Sequence, residues 1–206
     1  MTDIRRSLLR GMSGIVSDLY PGETINRTAT YKADDAPAPA QKPALPPFHA
    51  LWKTADETID WTDILVSPTP TDGLTPSDKW AVYHQHAEGV LKGDIAAYLA
   101  VLQYENPMAD LMPYVAALDV TTVDADTLQA TFTPRSDLTG DAYLCGMALR
   151  IARDLFAVLP VLTVEVKAVQ GNDDLLTVSF TRAQMNKVRF AFIDPVKFVS
   201  ECGGAL

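Results

Sequence analysis

Cysteine is nearly absent from this chain, with Cys145 and Cys202 the only two in 206 residues. A framework of several disulfides is thereby excluded, and nothing around the two residues suggests that they pair, so a reducing compartment suits them. Bases are also scarce: 17 Lys and Arg stand against 26 Asp and Glu, a formal charge of −9. That sign disfavours nonspecific nucleic acid binding by the surface as a whole. No apolar run reaches the roughly 20 residues of a transmembrane segment, because Arg150, Arg153 and Pro160 cut the longest candidates. Between Met1 and Tyr20, Arg5, Arg6 and Arg10 interrupt the apolar residues, leaving no continuous core for a secretory leader. The expectation is a cytoplasmic, bacterial-type protein.

Chemical motifs are missing as well. The chain has no Gly-x-Ser-x-Gly elbow for a serine nucleophile, no Gly-x-x-x-x-Gly-Lys loop and no Gly-x-Gly-x-x-Gly turn to cradle phosphates. No cofactor is called for by any pattern in it.

What the sequence does contain is enough apolar material, 48% of residues, to bury a core without staples. Ile4, Leu8, Met12, Ile15, Val16 and Leu19 recur at three- and four-residue steps and so share one side of a helix, with Arg5, Arg6, Arg10 and Asp18 mainly opposite. Prolines at 37, 39, 43, 46 and 47 make the following stretch an extended spacer. The expected organisation is an amphipathic helix in residues 1–30, a Pro/Ala-rich linker at 31–47 and an acidic globular α+β domain at 48–206.

Within that domain, 48–118 reads as mainly helical. Trp52, Ala55 and Ile59 suggest a short helix. Ser77 can cap a second, in which Trp80, Tyr83, Ala87, Val90 and Leu91 keep the period, and Gly93-Asp94 ends it and caps the next. A further short helix is expected from about Pro107 to Leu118. From 119 onward the period changes to two: Val120–Val123, Thr127–Thr133, Leu162–Ala168 and Leu176–Thr181 read as strands, with a long helix at 141–159 between the second and third. Its stripe is Leu144, Ala148, Ile151, Leu155 and Leu159, with Arg150 and Asp154 paired outside. The fold class that results is α+β, a mainly helical first half followed by a two-layer antiparallel ββαββ module and a C-terminal helical stretch.

Charge is uneven. Residues 56–142 hold fifteen acids against Lys79, Lys92 and Arg135, whereas 143–206 hold seven bases and six acids. A concentrated negative surface steers basic partners, although acidic faces also serve solubility alone. His84, His86, Glu88 and Asp94 are the one cluster bringing imidazole and carboxylate together. On a helix, however, residues two apart point away from each other, so the cluster is a poor metal site by itself. Arg182, Lys187 and Arg189 form the compact basic group, interleaved with Met185, Phe190 and Phe192, and are candidates for weak anion binding or for an ordinary amphipathic face. Cys145 sits beside the apolar stripe, which suits an inert thiol. The preferred function is a noncatalytic interaction or accessory protein that captures a protein partner or a second copy through Ile4, Leu8, Met12, Ile15, Val16 and Leu19. The alternative is an enzyme of unrecognised type, built around His84, His86, Glu88 and Asp94.

Overall fold

The computed structural model describes residues 30–32, 48–67, 78–138 and 140–206. The expected N-terminal helix with its six apolar residues, the proline-rich stretch after Lys32 and the Ser77 cap lie outside these. Over the described residues the protein is a mixed helix-and-sheet structure. No helix among them is long and apolar enough to cross a membrane.

The strands are β1 (Thr30–Lys32), β2 (Val115–Thr122), β3 (Thr127–Pro134), β4 (Thr163–Gln170) and β5 (Asp173–Thr181), in that order across one sheet. The helices are α1 (Trp61–Val66), α2 (Asp78–Leu91), α3 (Ile95–Glu105), α4 (Asp141–Val158), α5 (Arg182–Met185) and α6 (Pro195–Glu201), with 3-10 turns at Phe48–Lys53, Ala109–Tyr114 and Phe190–Phe192. Tyr31 and Lys32, expected at the start of the spacer, therefore belong to a strand paired with β2.

The sheet is mixed rather than antiparallel throughout, because β3 and β4 run parallel while the other neighbours are antiparallel. The physical reason is the connection. Between β3 and β4 the chain crosses over through α4, and a crossover of that length returns the next strand in the same direction. Alternation could not reveal this. Leu128, Ala130 and Phe132 of β3 and Val164, Val166 and Ala168 of β4 are buried, whereas the residues between them are only half-buried, as in any sheet packed on one face.

The helical part also ends earlier than expected, at Tyr114, with β2 beginning at Val115 instead of near residue 120. A register shift between Val115 and Ala117 explains the difference. It spaces the buried Val115 and Leu118 three residues apart, and three is a helical step.

Helix α4 is the centre of the molecule. Fifteen of its eighteen residues are buried, far more than the single stripe predicted. It packs on β4, β5 and β3, and also against the Phe48–Lys53 turn and α6. Gly146 makes the close approach to that turn possible: a Cβ there would lie 2.8 Å from the Trp52 ring. The Arg150–Asp154 pair is consequently inside the protein, not outside, with Arg150 3% and Asp154 0% exposed.

Candidate functional site

The C-terminal turn of any helix leaves carbonyls without partners, and in α4 a strip of irregular chain supplies them. Ile59 N–H donates to Ala157 O at 2.9 Å, and the Trp61 indole Nε1 donates to Val158 O at 2.8 Å. Beyond the helix, Arg182 Nε donates to Val161 O at 2.8 Å, and its guanidinium also bonds Leu159 O.

Arginines of the same helix hold the strip from its other side. Arg150 donates from Nε to Asp154 Oδ2 at 2.7 Å, from NH1 to Thr54 Oγ1 at 2.6 Å and from NH2 to Asp110 Oδ2 at 3.0 Å. Arg153 NH1 donates to the Trp52 and Thr54 carbonyls, and its guanidinium lies 4.1 Å from the Phe190 ring centre. Asp154 in turn accepts the Asp56 N–H at 2.9 Å. Burial pushes the Asp154 carboxyl well above the ordinary range, with Arg150 pulling against it. Burial also opposes the Arg150 charge, but Asp154 and Asp110 outweigh it and hold the guanidinium above its usual value.

Fixed in this way, the strip and its neighbours line a cleft of about 480 Å³. Asp56, Glu57, Thr58, Ile59 and Asp60 come from the strip, and Asp63 and Ile64 from α1. Lys79 and Tyr83 come from α2, Glu105 from the end of α3 and Val158 from the end of α4. The lining thus holds five acidic residues and one lysine beside isoleucine, valine and tyrosine. Asp60 also caps α1, accepting from Thr62 N at 3.0 Å and Asp63 N at 2.9 Å. Lys79 Nζ shows how the wall receives a cation, lying 3.4 Å from Glu105 Oε2 and 5.2 Å from the Tyr83 ring centre. Tyr83 is 8% exposed and its hydroxyl meets no hydrogen-bond partner of good geometry. Burial, and then the nearby Glu105, raise its pKa.

The four groups of the alternative enzyme reading are not gathered into one such site. His84 is exposed and stacks on Trp80 at 4.7 Å, and Glu88 pairs with Lys92 at 2.5 Å. Asp94 caps α3 through Ala96 N at 2.8 Å. His86 is half-buried with an unpartnered Nε2, and burial lowers its pKa while Asp94 opposes the shift. Among the described residues no three of His, Cys, Asp and Glu form a group that could hold a metal ion.

The basic candidates also separate. Arg182 is half-buried, bonded to carbonyls and set 5.0 Å from the Phe156 ring centre, whereas Lys187 and Arg189 are exposed. The amphipathic face expected there is one short helix, α5, followed by turns. The sequence had shown that residues 56–142 were acidic, but not that Asp56–Asp63 and Glu105 would meet. The signal that bears on it is the pair of α4 arginines at 150 and 153, which an outward reading of that helix set aside. Comparison with known proteins finds no matching family model, no matching curated protein and no matching solved structure.

Proposed function

We propose that this protein is a noncatalytic interaction or accessory protein, whose acidic cleft receives a basic, apolar-flanked segment of a protein partner. The observation that carries the reading is the cleft itself: five acidic residues line it beside isoleucine, valine and tyrosine, and the Lys79 ammonium lies against Tyr83 and Glu105. Opposite charge raises the encounter rate, and the buried apolar contact then sets the lifetime of the complex. The strip is well suited to the task because α4 holds its backbone through the Thr54 carbonyl and the Asp56 and Ile59 N–H groups, so little ordering is left to be done on binding. The N-terminal amphipathic helix on its proline-rich linker is the second arm of the same reading, and a cytoplasmic setting fits two free cysteines.

Calorimetric titration of the full chain with a synthetic twenty-residue amphipathic peptide, carrying three arginines on its polar side, tests this reading. Saturable binding that weakens several-fold between low and high salt and is lost in the Glu57→Lys/Asp63→Lys variant is expected. Absence of binding, or binding indifferent to that variant, overturns the reading.

A further inference from the structure

We infer that the cleft takes up the turn Lys187–Phe192 of a second copy of this chain, and that two copies do so reciprocally in a closed dimer. This rests on the interaction reading above and names the partner.

Charge complementarity is the first argument. Between Asp174 and Asp194 the chain carries three bases and no acid. One of the three, Arg182, is engaged by the Leu159 and Val161 carbonyls. Lys187 and Arg189 are exposed, and among the described residues neither makes an ion pair, whereas Lys79, Lys92, Arg135, Arg150 and Lys197 all do. In the cleft lining Glu57 and Asp63 are likewise exposed and, among the described residues, without an ion pair. Cations and carboxylates that have no salt-bridge partner within one copy can find it in another. Asp194, the next acid along the chain, is directed to its own α6, where it accepts from Val196 N at 2.9 Å.

The apolar part matches as well. Phe192 is 86% exposed, so the turn does not fill the cleft of its own chain. An aromatic ring flanked by exposed bases is the composition of an interface anchor, and the isoleucine, valine and tyrosine of the lining offer it apolar contact. The turn is held ready: Phe192 N–H donates to Arg189 O at 3.0 Å, and the Phe190 ring centre lies 4.1 Å from the Arg153 guanidinium. Arg153 also donates to the Thr54 carbonyl at 3.1 Å, where the strip begins. One side chain therefore ties the turn to the strip that lines the cleft, and the giving and receiving surfaces adjoin. Two such surfaces meet their counterparts across a single two-fold axis, which closes the assembly at two copies. Each contact then makes the other intramolecular, so two weak contacts act as one stronger one.

Sedimentation velocity of the full chain should show a dimer at low salt that dissociates at high salt. Two variants, Glu57→Lys/Asp63→Lys and Lys187→Glu/Arg189→Glu, alter only exposed side chains. Each alone should be monomeric, because like charges then meet at both contacts. Mixed in equal amounts they should form a heterodimer, since the basic cleft of the first receives the acidic turn of the second while the basic turn of the first enters the acidic cleft of the second. Phe192→Ala should weaken the unaltered dimer about tenfold. A chain that is monomeric throughout, a dimer indifferent to the charge reversals or to Phe192→Ala, or a mixture that stays monomeric overturns the inference. If the monomeric chain still binds the arginine peptide, the interaction reading stands without it; a monomer that binds no peptide overturns the reading and the inference together.

Discussion

At position 146 one methyl group separates a packed interior from a clash. Gly146→Ala would set a Cβ 2.8 Å from the Trp52 ring, and relief requires moving a buried aromatic. The expected cost is about 1–3 kcal/mol in urea denaturation, reduced when Trp52→Leu is made in the same chain. Equal losses with and without Trp52→Leu would contradict the packing described. Arg150 carries more. It is bonded to Asp154, Asp110 and Thr54 at once, so Arg150→Met strands buried carboxylates and is expected to cost about 3–5 kcal/mol. Cys145 is fully buried and its thiol is pushed up to about 11 by burial. At pH 8 a thiol reagent should therefore modify the half-buried Cys202, whose thiol burial also pushes up, ahead of Cys145, which reacts only as fast as the protein unfolds; equal rates at the two thiols would contradict this. Burial likewise raises Tyr98 and Tyr143 to about 12 and raises Tyr83. The folded state thus holds these protons at pH values where the unfolded chain, with ordinary values near 8.5 for Cys and 10 for Tyr, has released them. Stability is full below about pH 8 and falls as pH climbs through 11 and 12, which denaturant midpoints across that range will show. At this scale the sequence was misleading for a specific reason: Arg150 and Asp154 at i,i+4 look like a surface pair, and only the distant strip 52–61 turns their side of the helix inward.

Elements were more legible than contacts. Strict alternation from Thr127 to Thr133 marks a strand because every second residue is buried, and Gly93-Asp94 marks a helix junction because Gly93 has φ +73° and Asp94 caps α3. Where a bulge breaks the period, as between Val115 and Ala117, the strand was read as helix. Parallel pairing of β3 and β4 was hidden because direction leaves no mark on a half-buried strand. The layout also orders local stabilities. With α4 buried almost all round and β3 and β4 flanked on both sides, their amides should be the slowest to exchange with solvent. The six-residue α1 and the three-residue β1 should open first. Fast exchange in β4 together with slow exchange in α1 would contradict the architecture.

For the molecule as a whole, the informative property is where its charge lies. The acids of residues 56–142 were countable from the sequence, yet their convergence depends on α4 gripping a strip nearly a hundred residues earlier through Asp56 N–H and Ile59 N–H. Local periodicity carries no information across such a separation, which is why the cleft could not be read in advance and the acidic balance could. His84, His86, Glu88 and Asp94 drew attention by proximity along the chain, and the fold stacks His84 on Trp80, pairs Glu88 with Lys92 and uses Asp94 as a helix cap. The central claim is that the cleft between the strip, α1, α2 and the end of α3 is the binding surface. Amide and methyl chemical-shift mapping of the full chain during addition of the arginine peptide tests it most directly. Progressive shifts at Ile59, Ile64, Tyr83 and Glu105, with the open sheet face around Thr131 and Glu165 unmoved, are the predicted result. Shifts centred on that sheet face or on Lys187 and Arg189, with the cleft silent, would contradict the account.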